Sequence, residues 1–173
     1  MWHYFDIITY LSVALWLLGG GLIYGKNGML RGLSIVSHVA ATLLIGGFIA
    51  LLWKNLDRPP LRTLAETRIW YAFFMGVIGV IIYWLYKQKW MLSYSAVMGI
   101  VFVGLTYTHP DTMNKALMPA LQSPWFAPHV IVYMFAYALL GAATVMAIYL
   151  LFIKKTPCTA DEMDITDNLV YVG

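Results

Sequence analysis

Five apolar runs, each of about 20 residues, constrain this chain more than any single motif in it does. They cover Ile7 to Tyr24, Leu30 to Trp53, Ile69 to Tyr86, Met91 to Thr108 and Pro128 to Ile153. A hydrocarbon core about 30 Å thick calls for helices of that length, because a continuous helix satisfies its own backbone N–H and C=O groups where no water is present. The pattern predicts an all-α, multi-pass transmembrane bundle of about five helices, with residues 1–173 forming a single membrane domain. Composition agrees, since 61% of the residues are hydrophobic and 11% charged, at a mean hydropathy of +0.74. A soluble domain with that balance would expose a large apolar surface. Met1 to Asp6 contain neither Lys nor Arg, so the first run lacks the basic start of a secretory leader and is expected to stay as a helix.

The formal net charge of +3 is scattered over the connecting segments. It forms no basic stripe of the kind that tracks a phosphate backbone, so the bilayer is an expected partner and nucleic acid is not. Cys158 is the only cysteine, which excludes an internal disulfide, and without a Cys-x-x-Cys-His motif this chain does not attach haem covalently. Gly25 to Gly28 and Lys87 to Lys89 predict tight turns, whereas Lys54 to Arg68 and His109 to Ala127 are long enough to carry structure. With the amino terminus outside, Lys26, Arg31, Lys87, Lys89, Lys154 and Lys155 fall on the cytoplasmic side, and Lys54, Arg58, Arg62, Arg68 and Lys115 on the outer side. The totals are nearly equal, but positive charges in short loops and the Lys154-Lys155 pair weigh most, and they favour this orientation. It places His3, His109 and His129 on the outer face. Residues 154–173 then form a cytoplasmic connector, with the start of a further helix at Asp167 to Gly173.

Candidate functional residues concentrate at the outer face. His129 opens the last apolar run behind Ser123-Pro-Trp-Phe-Ala-Pro128. A neutral imidazole at the mouth of a membrane helix can bind the metal of a flat, greasy ligand lying at the surface. Trp125 stands where an aromatic belt is expected, which is the plainer account of an indole there. Tyr133, Tyr137 and Thr144 continue one helical face, a pattern that more often signals packing than a site. Between Asp57 and Thr67, Pro59 and Pro60 end the helix arriving from Trp53. The alternation of Leu61, Leu64 and Ala65 with Arg62, Glu66 and Arg68 then predicts a short helix on the membrane surface. That stretch is either an ordinary connector or a source of forked donors, Arg58 and Arg62, for the propionates of a porphyrin. His109, between a threonine and a proline, is expected to be a polar loop residue. His38 lies within the bilayer, where ionisable groups face the bundle interior and mark function by default. It is a candidate intramembrane haem ligand, and a structural hydrogen bond to a neighbouring helix accounts for it equally well. No other run has a histidine near its middle to supply a second axial group.

Two segments carry a family resemblance. Leu117-Met-Pro-Ala-Leu-Gln-Ser-Pro-Trp-Phe-Ala-Pro-His-Val-Ile-Val-Tyr-Met-Phe-Ala-Tyr-Ala-Leu139 resembles the region before the tryptophan-rich signature of the cytochrome c assembly family, the haem-handling proteins of the CcsA, ResC and CcmC kind. Arg58 to Thr67 resembles that family's Pro-Pro-x-x-Asn-Leu-Tyr-Glu-Ser segment. Leu64 and Glu66 are kept there, while Thr63, Ala65 and Thr67 replace Asn, Tyr and Ser. The resemblance implies cytochrome c-type biogenesis in a bacterial plasma membrane. Such proteins hold haem b non-covalently on the outer face, between two external histidines and a tryptophan-rich patch, and present it to the Cys-x-x-Cys-His site of apocytochrome c. It further implies a CcsB/ResB-like membrane partner and a place in a cytochrome c synthetase (haem lyase) system. His129 matches the first external histidine. The tryptophan-rich signature and the second external histidine are absent from this sequence, so the resemblance implies an amino-terminal portion of a longer protein, with half a haem site and no complete catalytic set. Two other classes remain open. One is a small-molecule permease in which His38 and the glycines Gly19 to Gly21, Gly46 and Gly47 line a path; the other is a non-catalytic anchor subunit of a respiratory complex.

Overall fold

The computed structural model describes residues 4–113, 125–153 and 160–172. His3, Lys115, Leu117 to Pro124, Lys154, Lys155 and Gly173 lie outside the described residues. The described chain is helical and contains no strand. Its elements are α1 (Phe5–Leu22), α2 (Gly28–Leu56), α3 (Leu64–Tyr86), α4 (Lys89–Thr108), a 3-10 turn (Pro110–Met113), α5 (Phe126–Ile148), a π turn (Tyr149–Ile153) and α6 (Ala160–Val172). The five helices α1 to α5 are long and apolar enough to cross a membrane. The chain is a multi-pass membrane protein.

The helix boundaries follow from local chemistry. α2 stops at Leu56, where Asp57 takes the left-handed conformation at φ 50° and the rigid Pro59-Pro60 pair prevents resumption. α3 then begins at Leu64, five residues before the apolar run at Ile69. Its start is a reciprocal cap: Thr63 Oγ1 accepts from the Glu66 N–H at 3.2 Å, and Glu66 Oε2 accepts from the Thr63 N–H at 3.2 Å. The surface helix expected over Leu61 to Arg68 is therefore corrected. Leu64 to Arg68 form the first turns of the spanning helix, because the cap satisfies the orphan N–H groups there and lets the helix extend beyond the hydrocarbon. The turns between α1 and α2 and between α3 and α4 are as short as expected, the second pivoting on Lys87 at φ 55°.

Four of the helices close a ring. α1 packs against α2 and α4, and α3 packs against α2 and α4. Trp16, Ile45, Leu52, Ile69, Ile78 and Leu92 fill the interior. Close approach depends on glycine at Gly99, where a Cβ would stand 2.9 Å from the Trp16 ring, and at Gly79, where it would collide with Ser95 Oγ. α5 docks outside the ring against α3, with Phe135 edge-on to Phe74 at 6.0 Å. α6 packs on α5 through Ile165 and Leu169, both buried and four residues apart. This helix begins at Ala160, seven residues before the further helix was expected, and runs to Val172, the last described residue.

This arrangement has two functional ends. One collects the start of α1, the Asp57–Thr63 link, the 3-10 turn and the start of α5. The other collects the tight turns, the π turn and α6.

Candidate functional site

His129 sits in the first turn of α5, with Trp125 at the N-cap position and Pro128 between them. Proline belongs in a first turn, where its missing N–H would have had no partner. The His129 backbone N–H donates to the Trp125 carbonyl at 3.4 Å, which secures that turn. The imidazole is exposed and packs edge-on against Tyr133, with ring centroids 4.4 Å apart at 76°. Tyr137 follows at 5.9 Å from Tyr133. Neither imidazole nitrogen hydrogen-bonds to another described residue, so an aromatic neighbour orients the ring and leaves its nitrogens available. Trp125 is 82% exposed and, with His129, belongs to the uncovered surface of α5. Tyr133 and Tyr137 are 47% and 55% exposed, and Tyr137 lies near Tyr71 of α3, so the stripe is partly covered by the ring while α5 meets it through Phe135.

The basic residues of the same end behave differently from one another. Arg58 forms a two-pronged pair with Glu66: Nη1 donates to Oε2 and Nη2 to Oε1, each at 3.1 Å. Nη1 also donates to the Pro59 carbonyl at 3.1 Å. Glu66, 3% exposed, additionally accepts the Arg62 backbone N–H at 2.7 Å and the Thr63 N–H. Trp70 Nε1 donates to the Pro60 carbonyl at 3.0 Å. These bonds clamp the link onto α3. The fork of Arg58 is spent on an internal carboxylate, whereas the exposed Arg62 guanidinium makes no bond to a described residue. Arg68 Nη1 reaches the Leu105 carbonyl at 3.3 Å, tying α3 to the end of α4. His109 closes the carboxyl end of α4, with Nδ1 3.0 Å from Thr108 Oγ1, and is the polar loop residue it was expected to be. Glu66 as the hub of this link was not singled out from the sequence. The available signal was Thr63-x-x-Glu66, the spacing of a capping box.

His38 stands apart from that end. It lies ten residues into α2, about 15 Å from the opposite end of the helix. It is fully buried at the centre of the ring. Its Nε2 is 3.4 Å from Ser95 Oγ on α4, and the Trp16 ring lies 6.4 Å away on α1. A Cβ at Gly19 would stand 3.1 Å from His38 Cβ, and one at Gly79 3.6 Å from Nε2. The backbone carbonyl of Gly76 faces the ring, yet Nδ1 has no hydrogen-bond partner among the described residues. Of the glycines considered for a path, Gly19 meets His38 and Gly46 meets Phe73 at 2.9 Å, whereas Gly21 and Gly47 have nothing within 4 Å.

Among the described residues no group of three or more His, Cys, Asp or Glu side chains is placed to hold a metal ion. A lone exposed imidazole instead suits a metal that arrives with its own equatorial ligands, as porphyrin iron does. His129, Trp125 and Arg62 are an exposed imidazole, indole and guanidinium at one end of the bundle, the side-chain types that such a group would need, so the residues present fit it.

Residues 61–169, more than half of the chain, match the family described as "Cytochrome C assembly protein". Curated relatives named cytochrome c biogenesis protein CcsA are similar over most of the chain. The protein from Picosynechococcus sp. is 26% identical over 152 residues, covering 86% of this chain and 44% of its own length. That from Marchantia polymorpha is 26% identical over 155 residues, covering 88% and 48%. That from Panax ginseng is 30% identical over 121 residues, covering 66% and 37%. The chain spans less than half the length of these relatives. No solved structure matches it.

Proposed function

The chain belongs to the cytochrome c assembly family, and from that membership we propose that it serves cytochrome c-type biogenesis by holding haem at the end of the bundle where α5 begins. The observation that carries this reading is the exposed imidazole of His129, oriented by Tyr133 at 4.4 Å and with both nitrogens unengaged by the described residues. His129 is the axial ligand, Trp125 offers the porphyrin an aromatic face, and Arg62 meets a propionate. Arg58, paired with Glu66, holds the link in shape rather than taking a propionate itself. His38 is assigned to helix packing, because Gly79 and Ser95 take up the space beside its Nε2.

The haem is the cargo, b-type and held without a covalent bond, and it supplies vinyl groups for thioether formation with the cysteines of an apocytochrome c. What this chain contributes is positioning: an imidazole that fixes the iron, an indole that excludes water from one porphyrin face, and a cation that fixes its rotation. The end bearing His129 faces outwards from a bacterial plasma membrane, and α6 lies on the cytoplasmic side. A CcsB/ResB-like membrane protein is the proposed partner in a synthetase system, and the second axial ligand comes from a polypeptide segment other than those described.

Replacing His129 with Ala in a full-length protein, and assaying copurified haem by its pyridine haemochrome spectrum, tests the assignment. Haem is expected to fall to background and to return when free imidazole is added, because a small imidazole fills the space and restores the ligand. Undiminished haem in the variant refutes the assignment. It would favour a permease or an anchor subunit, neither of which needs that side chain.

A further inference from the structure

The interior of the four-helix ring carries more polar groups than its own hydrogen bonds satisfy. Thr9 Oγ1, Ser12 Oγ and Trp16 Nε1 on α1, and His38 Nδ1 on α2, are all buried and have no partner among the described residues. The four side chains are between 0% and 5% exposed. They form one series. Thr9, Ser12 and Trp16 are three and four residues apart, hence neighbours along one face of α1, and the Trp16 ring lies 6.4 Å from that of His38.

The hydroxyls are not quenched in the way usual for a membrane helix. Thr42, Thr106 and Thr144 each donate to the carbonyl four residues earlier, so their hydroxyls are satisfied within their own helices. Thr9 and Ser12 do not, and they are enclosed by the partners of α1 instead. A buried polar group left unpaired is destabilising, and hydrocarbon outside the ring provides no competing partner. Four such groups in one series would be a heavy burden on a marginally stable domain. Side chains three or four residues apart on a helix are about 5–6 Å from each other, the span of two successive hydrogen bonds through one intervening oxygen. The ligand that fits is small, both donor and acceptor, and uncharged.

We propose that internal water molecules occupy the axis of the ring, bridging Thr9, Ser12 and Trp16 of α1 to His38 of α2. Thr9 lies one turn inside the start of α1, at the end that carries His129, so the file begins near the aqueous boundary and reaches the intramembrane imidazole. His38 is hydrogen-bonded to water as well as to Ser95. The ring is wet along the α1 face, where the unpaired groups lie.

X-ray hydroxyl-radical labelling of the full chain in lipid nanodiscs, read by mass spectrometry, tests this, because radiolysis of a bound water marks the side chains beside it even where bulk solvent does not reach. Trp70 is the internal control: it too is buried, but its indole N–H is satisfied by the Pro60 carbonyl. Trp16 is expected to be oxidised several-fold faster than Trp70 and to acquire heavy oxygen when the protein is equilibrated in oxygen-18 water. Combining Thr9→Val with Ser12→Ala, changes small enough to keep the helix packed, should lower Trp16 labelling to that of Trp70 while the exposed Trp84 is unaffected. Equal labelling of Trp16 and Trp70 in the unmodified chain overturns the proposal. So does rapid Trp16 labelling that survives both substitutions.

Discussion

At the scale of single residues, the two membrane-associated imidazoles differ in what surrounds them rather than in what they are. His129 rests against one tyrosine ring and its nitrogens bond to no other described residue; His38 is wedged between Ser95, Trp16 and two glycines. That wedge makes a prediction. Gly79→Ala drives a methyl group into Ser95 and should cost about 1–3 kcal/mol in thermal or denaturant unfolding, the usual penalty of overpacking. Gly21→Ala, with nothing within 4 Å, should be neutral or slightly stabilising through helix propensity. If both variants unfold alike, the glycines do not set the helix spacing. The Glu66 carboxylate gathers the Arg58 fork, the Arg62 and Thr63 N–H groups and the start of α3. Removing one partner of a largely buried pair leaves the other uncompensated, so Glu66→Ala should destabilise by about 3 kcal/mol. Glu66→Gln, which keeps the shape and the acceptor, should lose less. A melting temperature unchanged by Glu66→Ala would show the clamp to be idle.

At the scale of elements, capping chemistry decided where α3 begins, and hydropathy decided only that it exists. The apolar run of α3 starts at Ile69, but its helix starts at Leu64 because Thr63 and Glu66 cap each other. α6 is the other case. Asp161 to Asp167 are too polar for a membrane span, yet Ile165 and Leu169 at helical spacing give the segment one apolar stripe and a place on α5. Truncating that stripe should release it. Leu169→Ala is expected to raise amide hydrogen exchange across residues 163–172 while leaving α2 and the middle of α3 unchanged, since the hydrogen bond from α6 to α3, Asn168 to Tyr86, lies at the last residue of α3. Unaltered exchange in α6 would mean that its position does not depend on that contact.

At the scale of the whole molecule, the proposed function makes the ring of α1 to α4 a support and α5 the presenting element. Docking α5 on α3 through Phe135 leaves His129 and Trp125 exposed and Tyr133 and Tyr137 about half exposed. The proposed orientation has its own check. Alkaline phosphatase fused after Met113 should be active, and green fluorescent protein fused after Lys87 should fluoresce, because one reports the outer compartment and the other the cytoplasm. The reverse pair of signals would invert the bundle and place His129 on the inner side.

The order, number and apolar character of the five spans, and the gathering of His129, Arg58, Arg62 and His109 at one end, were all legible in the sequence. They depend on run lengths and on the alternation of crossings, which are properties of the chain read in one dimension. The availability of each group was not legible there. Arg58 is occupied, and the Arg62 guanidinium bonds to no described residue, because Glu66 takes the fork of Arg58. His38 is enclosed because Ser95, Gly79 and Trp16, remote from it in sequence, converge on the ring axis. Only the tertiary structure decided these points, since hydrogen-bond satisfaction and free space belong to neighbours in three dimensions, and helix period and hydropathy carry no record of which helix stands beside which.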